Sequence, residues 1–119
     1  MEIGIDIIDI SRFHQDILSK RNILKKIFTE KEIQYCEKKL HADQHYSVRF
    51  AGKEAVVKAF LCYGIRIPLN KIEILNKNNG APFVTILDKN VDNFEIKISL
   101  SHSETTVAAV AVIYEKLKD

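Results

Sequence analysis

Asp6 is the first residue that asks for a chemical reason. It sits in "GIDIID" between isoleucines, and a bare carboxylate in a buried strand costs several kcal/mol unless a cation meets it. At a strand's wet end it would simply be exposed, which is the plain alternative. A second acid, Glu54, lies in "RFAGKEAVVKAF" among residues that belong in a core, with Lys58 one helical turn beyond it. Arg49 and Lys53 share another line of the same helix. An ordinary edge ion pair would explain Glu54 and Lys58. Yet partly enclosed ion pairs are weak evidence for stability, and charges kept in such places mark sites. Magnesium is commonly held by one or two carboxylates plus substrate phosphates, and a nearby lysine neutralises charge on a leaving phosphate. Residue types and spacing therefore point to a magnesium–phosphate site at Asp6, Glu54 and Lys58, and no further.

Other candidates are weaker. His102 closes "ISLSH" and by period two shares the face of Ile96, Ile98 and Leu100, while Ser99, Ser101 and Ser103 alternate to the other side. That spacing builds no Ser-His-Asp triad, and a satisfied structural histidine is the plainer reading. His41 and His45 are four apart but have no third ligand nearby, in a segment that reads as a loop. Asp9 and Arg12 can pair across a first helical turn. Neither the P-loop nor the dinucleotide glycine pattern occurs.

The elements that must position these residues are legible. The spacing predicts a strand over 2–8, with Ile3, Ile5 and Ile7 on one face and Gly4, Asp6 and Ile8 on the other. Ser11 is expected to cap a helix to about residue 20, with a short helix near 22–27. "TEKE" at 29–32 is a capping box for a helix through about Leu40. The polar "HADQHY" then precedes the long helix, which ends near Tyr63–Gly64 with Pro68 barring its return. "KIEIL", "PFVTIL", "FEIKISL" and "TTVAAVAVIYE" follow as strands, Asn79–Gly80 marking a hairpin. The expected fold is α+β, helices packed on one antiparallel sheet, with residues 1–119 a single domain.

Bulk properties exclude several classes. A net charge of +2 is too small to imply nucleic-acid or membrane binding. No apolar run would span a bilayer, and the acids within "MEIGIDIIDI" do not suit a signal peptide. Cys36 and Cys62, isolated thiols, suit a reducing cytoplasm.

Five blocks, "GIDIIDISRF", "FTEKEIQYC", "RFAGKEAVVKAF", "NNGAP" and "SLSHSETTVAAVAV", together resemble the holo-acyl-carrier-protein synthases, the small bacterial 4′-phosphopantetheinyl transferases. They extend from the first residues to the last strand. The resemblance implies transfer of the phosphopantetheine arm of coenzyme A to a serine of an apo acyl carrier protein, releasing adenosine 3′,5′-bisphosphate. It implies Asp6 and Glu54 as Mg²⁺ ligands and Lys58 as the group that stabilises or protonates the leaving phosphate. Arg49 and His102 match positions expected on coenzyme A phosphates, and Lys53 is grouped with them as a cosubstrate-binding residue; Lys53 and Asp9 both fall within the motifs with less defined roles. It also implies a homotrimer, and docking of the acidic carrier on the basic region Arg12, Lys20, Arg21, Lys25 and Lys26, which by composition alone is a solvated face. Two departures stand out: "KAFLCYG" replaces the family's glycine-rich "KAxGTG", and Gly52 stands where alanine is common. The competing readings are a Mg²⁺-dependent phosphohydrolase on the same carboxylates and a non-catalytic carrier-binding module.

Overall fold

A computed structural model of the chain describes residues 1–117. Strand β1 (Glu2–Asp9) is followed by helix α1 (Ile10–Phe13), which runs on through a π-helical turn at His14–Leu18. A 3-10 turn at Arg21–Ile23 leads into α2 (Leu24–Ile27), and then come α3 (Glu30–Glu37) and the long α4 (Ala42–Leu61). Strands β2 (Ile72–Asn76), β3 (Pro82–Ile86), β4 (Phe94–His102) and β5 (Thr106–Glu115) complete the order.

The α+β class holds, with helices against antiparallel strands. Hydrogen bonding divides those strands into two sheets rather than one continuous meander: β1-β5-β4, and the hairpin β2-β3. The break falls between β3 and β4, which share no hydrogen-bonded ladder. β1 lies along the free edge of β5, Gly4 opposite Ala111 and Asp6 opposite Ala109, so the first and last elements pair.

Local signals set most boundaries. The Thr29–Glu32 capping box is formed in full, although α3 stops at Glu37, short of Leu40. The cap of α1 is Asp9, not Ser11: its carboxylate accepts from the Arg12 N–H at 3.2 Å and from the Ser11 hydroxyl at 2.8 Å. "HADQHY" is not a loop; all but His41 belongs to α4. At the hairpin, the Gly80 N–H closes a turn onto the Lys77 carbonyl at 2.9 Å, with Gly80 at φ 90°, a left-handed conformation that glycine adopts without strain.

Helix α4 is the spine. It has no wide polar face because it packs on β1 and β5 on one side and β2 and α3 on another; Ala51, Ala55, Val56, Ala59 and Phe60 are wholly enclosed. On β5, alternate residues Val107, Ala109, Ala111 and Ile113 are buried against it. A second apolar cluster, with Phe13, Leu24, Phe28 and Tyr46, holds α1–α3 to the first half of α4.

Candidate active site

The first strand meets the long helix at a point with no room for a side chain. A Cβ on Gly4 would stand 1.9 Å from the Ala55 carbonyl oxygen and 3.0 Å from the Ala59 backbone nitrogen. Glycine here lets the backbones of β1 and α4 touch. Two residues along β1, Asp6 then faces the helix beside Glu54 and Lys58. The Lys58 ammonium donates to Asp6 Oδ1 at 3.0 Å and to the Ile5 carbonyl at 2.9 Å. Asp6 is largely enclosed and Lys58 half exposed, with side-chain exposures of 16% and 51%. Burial, then the Asp6 charge, pushes the Glu54 carboxyl above its ordinary range, and Lys58 partly offsets them. Asp6, Glu54 and Lys58 are thus gathered where β1 meets α4, as two acids and one half-exposed cation.

Arg49 and Lys53 lie on the other flank of α4, where each has a structural task. Lys53 is fully enclosed, and its three N–H groups are spent on Glu32 Oε1 at 2.6 Å, the Leu69 carbonyl at 3.0 Å and the Ile72 carbonyl. No donor is left for a phosphate, so the expectation that Lys53 binds cosubstrate is corrected. Arg49, 2% exposed, donates to the carbonyls of Ile74 at 3.2 Å and His45 at 3.3 Å and to Asn76 Oδ1, and lies 4.1 Å over the Tyr35 ring. Arg49 is thus a tie between α4 and β2, its donors spent on those acceptors rather than left open for a phosphate.

His102 is exposed at the end of β4, opposite Val107, in a shallow cavity with Ser101, Ser103 and Thr106. It belongs to the far end of α4, near His45, whose imidazole is held below its ordinary proton affinity by burial first, then by Arg49, Lys39, His102 and His41. Asp9 serves its helix cap, and Arg12 pairs with Asp16 at 3.7 Å rather than with Asp9. In the basic region, Arg12, Lys20, Arg21, Lys25 and Lys26 are all exposed, Arg21 meeting Glu37 at 3.3 Å. Among the described residues, no cluster of three or more His, Cys, Asp or Glu side chains is placed to hold a metal. A two-carboxylate site falls below that number by its nature.

Sequence reasoning missed three things. Gly4 was legible only as a face-mate of Asp6, though a glycine inside a strand signals close backbone approach. The capping box accounts for Glu32 locally and leaves its pairing with Lys53 unsignalled. Period two puts Ile3, Ile5 and Ile7 on one face without choosing its side; they point to solvent, 61%, 66% and 71% exposed.

The model of the 4′-phosphopantetheinyl transferase superfamily matches residues 2–112. The chain is 43% identical over 117 residues to a holo-[acyl-carrier-protein] synthase of Clostridium botulinum (strain Alaska E43 / Type E3), covering 93% of this chain and 94% of the relative. It is 38% identical over 124 residues to that of Syntrophus aciditrophicus (strain SB), covering 98% and 96%. Its fold matches that of Helicobacter pylori holo-[acyl-carrier-protein] synthase in complex with coenzyme A, with a TM-score of 0.80, 30% identity, and 94% and 99% coverage.

Proposed function

The chain belongs to the 4′-phosphopantetheinyl transferase superfamily, and from that premise we propose that it transfers the 4′-phosphopantetheine group of coenzyme A to a serine of an apo acyl carrier protein. The observation that carries this reading is the meeting of Asp6, Glu54 and Lys58 where the first strand packs on the long helix. In the step, the serine hydroxyl gives its proton to a water or carboxylate of the site as its oxygen forms a bond to the pantetheine-side phosphorus of the pyrophosphate, and the bond from that phosphorus to the bridging oxygen breaks. Adenosine 3′,5′-bisphosphate leaves with the electron pair.

The residues fit a magnesium ion. Both donors are carboxylates, the hard oxygen ligands that magnesium takes, and their mutual repulsion, felt at Glu54, is what a shared cation relieves. When bound, Mg²⁺ supplies charge neutralisation and polarisation at the pyrophosphate. Lys58 stands beside both acids on a flexible stem and neutralises or protonates the leaving phosphate. Asp6 holds that ammonium until the substrate arrives.

The remaining assignments follow the same reading. Residues 1–119 act as one transferase domain in the cytoplasm; among the described residues no helix is long and apolar enough to cross a membrane. His102 faces the nucleotide end of coenzyme A. The acidic carrier docks on Arg12, Lys20, Arg21, Lys25 and Lys26. Homotrimer formation is supported by the stripe Ile3, Ile5 and Ile7, which continues across the sheet through Val110 and Val112.

The test is a coenzyme A-dependent mass gain of an apo carrier protein. Asp6→Asn and Glu54→Gln are expected to slow it by about a hundredfold or more. Near-parental turnover in both at saturating Mg²⁺ would remove the site assignment. Consumption of coenzyme A without any carrier would favour a phosphohydrolase instead.

A further inference from the structure

Among the described residues, the buried charged side chains are Glu32, Arg49, Lys53 and Glu73, and none sits in the proposed reaction centre. They converge on β2 as two acids and two bases. On its side away from β3, β2 has no neighbouring strand among the described residues. The Ile72 carbonyl there accepts from Lys53, the Ile74 N–H donates to Glu32 Oε2 at 2.8 Å, and the Ile74 carbonyl accepts from Arg49. Glu32 also takes the Thr29 N–H, and Glu73 takes the Thr29 hydroxyl at 2.6 Å. Side chains fill the places a strand's backbone would fill.

Two of these side chains come from α4, the helix whose opposite flank carries Glu54 and Lys58. Helix α4 is therefore gripped on both flanks, by the Gly4–Ala55 contact and by the ion pair at β2. It cannot turn about its axis without breaking one of them.

We infer that Glu32 and Lys53 are positioning residues of the transfer reaction: a charge-balanced buried pair that fixes the rotation of α4 and so aims Glu54 and Lys58 at Asp6. This rests on the reading of that trio as the reaction centre. The charged groups facing Lys53 are Glu32 from α3 and Glu73 from β2, which attract it, and Arg49 from its own helix, which repels it. Burial pushes the Lys53 ammonium toward its neutral form, and Glu32 opposes that. Cys36 nearby stays a thiol, pushed up to about 12 mainly by burial.

Removing one partner strands the other's charge in an enclosed site, which costs more than the pair itself contributes. Lys53→Met leaves the Glu32 carboxylate without its ammonium, and Glu32→Gln leaves the Lys53 ammonium without its carboxylate. The double variant has no stranded charge and should recover part of both losses. The experiment measures the thermal midpoint, and kcat and KM for the carrier, in the parent, the two single variants and the double variant.

The expected result is a lowered thermal midpoint in each single variant. Their kcat should fall about tenfold with the carrier KM within about twofold, and the double variant should regain much of kcat. Single losses that simply add in the double variant overturn the inference. So does a kcat that stays at the parental value while the midpoints drop. If a single variant fails to fold, the double variant decides: folded and within about threefold of parental kcat it supports charge balance, and folded but about tenfold slower it counts against it. Failure of the underlying reading shows separately, as full turnover by Asp6→Asn and Glu54→Gln, while the coupling in midpoint persists.

Discussion

Gly4 lies against Ala55 so closely that a methyl group on it would stand 1.9 Å from the Ala55 carbonyl oxygen. The obstacle is helix backbone, which cannot step aside without moving α4. Gly4→Ala should therefore lose about 3 kcal/mol or more and separate Asp6 from Glu54. Gly52 is the contrast. A methyl there meets the tips of Ile74 at 2.6 Å, Ile98 at 3.1 Å and Leu100 at 3.3 Å, all flexible side-chain ends. Gly52→Ala gains about 1 kcal/mol of helix propensity, enough to offset most of the crowding. Chemical denaturation of the two variants should give a large loss for the first and a near-neutral result for the second; equal losses would contradict the account.

Glu54 keeps its proton to higher pH than an ordinary glutamate, chiefly through burial and next through Asp6. The folded protein thus holds a proton that the unfolded chain has lost between 4.5 and the raised value. The contribution of Glu54 to stability falls as pH rises through that window, and the ionised acid pair is complete only above it. Followed by carboxyl-carbon NMR without divalent ions, Glu54 should titrate above 4.5. Asp6→Asn should move the midpoint down and Lys58→Met should move it up. A midpoint that ignores both substitutions would show that the three groups do not share one field.

Much of this arrangement was legible in the sequence because the signals were local. "TEKE" gave a capping box, and Asn79–Gly80 with period-two runs gave β2 to β5 within a residue or two. What escaped depends on packing between distant elements. Nothing near Lys53 in the chain reveals that its partner is Glu32, or that β2 would be left with an edge for them to fill. Arg49 and Lys53 share a helix with Glu54 and Lys58, so motif reasoning placed all four at one site. The rotation of α4 sends the two pairs to opposite flanks.

The exposed bases of the α1–α2 region have few acids to answer them: Arg12 has Asp16 and Arg21 has Glu37, both at the surface. Surface pairs of this kind hold their partners weakly, so the bases remain available to an acidic protein. Lys25→Glu with Lys26→Glu should raise the carrier KM about tenfold with little change in kcat. Raising the salt concentration should weaken carrier binding to the parent and do less to the variant. An affinity that is flat with salt would rule out docking on this face.

Ile5 stands 66% exposed between Ile3 and Ile7, directly opposite Val110, on the face of the sheet that turns away from α4. Three isoleucines on one strand face make a patch that a lone soluble chain seldom leaves open. Burying each side chain in a subunit contact stabilises the assembly by roughly 1.5–3 kcal/mol, whereas a carboxylate in that contact would be stranded. Ile5→Asp should therefore dissociate the proposed trimer, read as a threefold drop in mass by light scattering. Asp6 points to the other face, so its contact with Lys58 should survive in the separated chain. A variant that remains trimeric would move the subunit interface elsewhere on the molecule, and a parent already monomeric at assay concentration would leave the isoleucine stripe without that role.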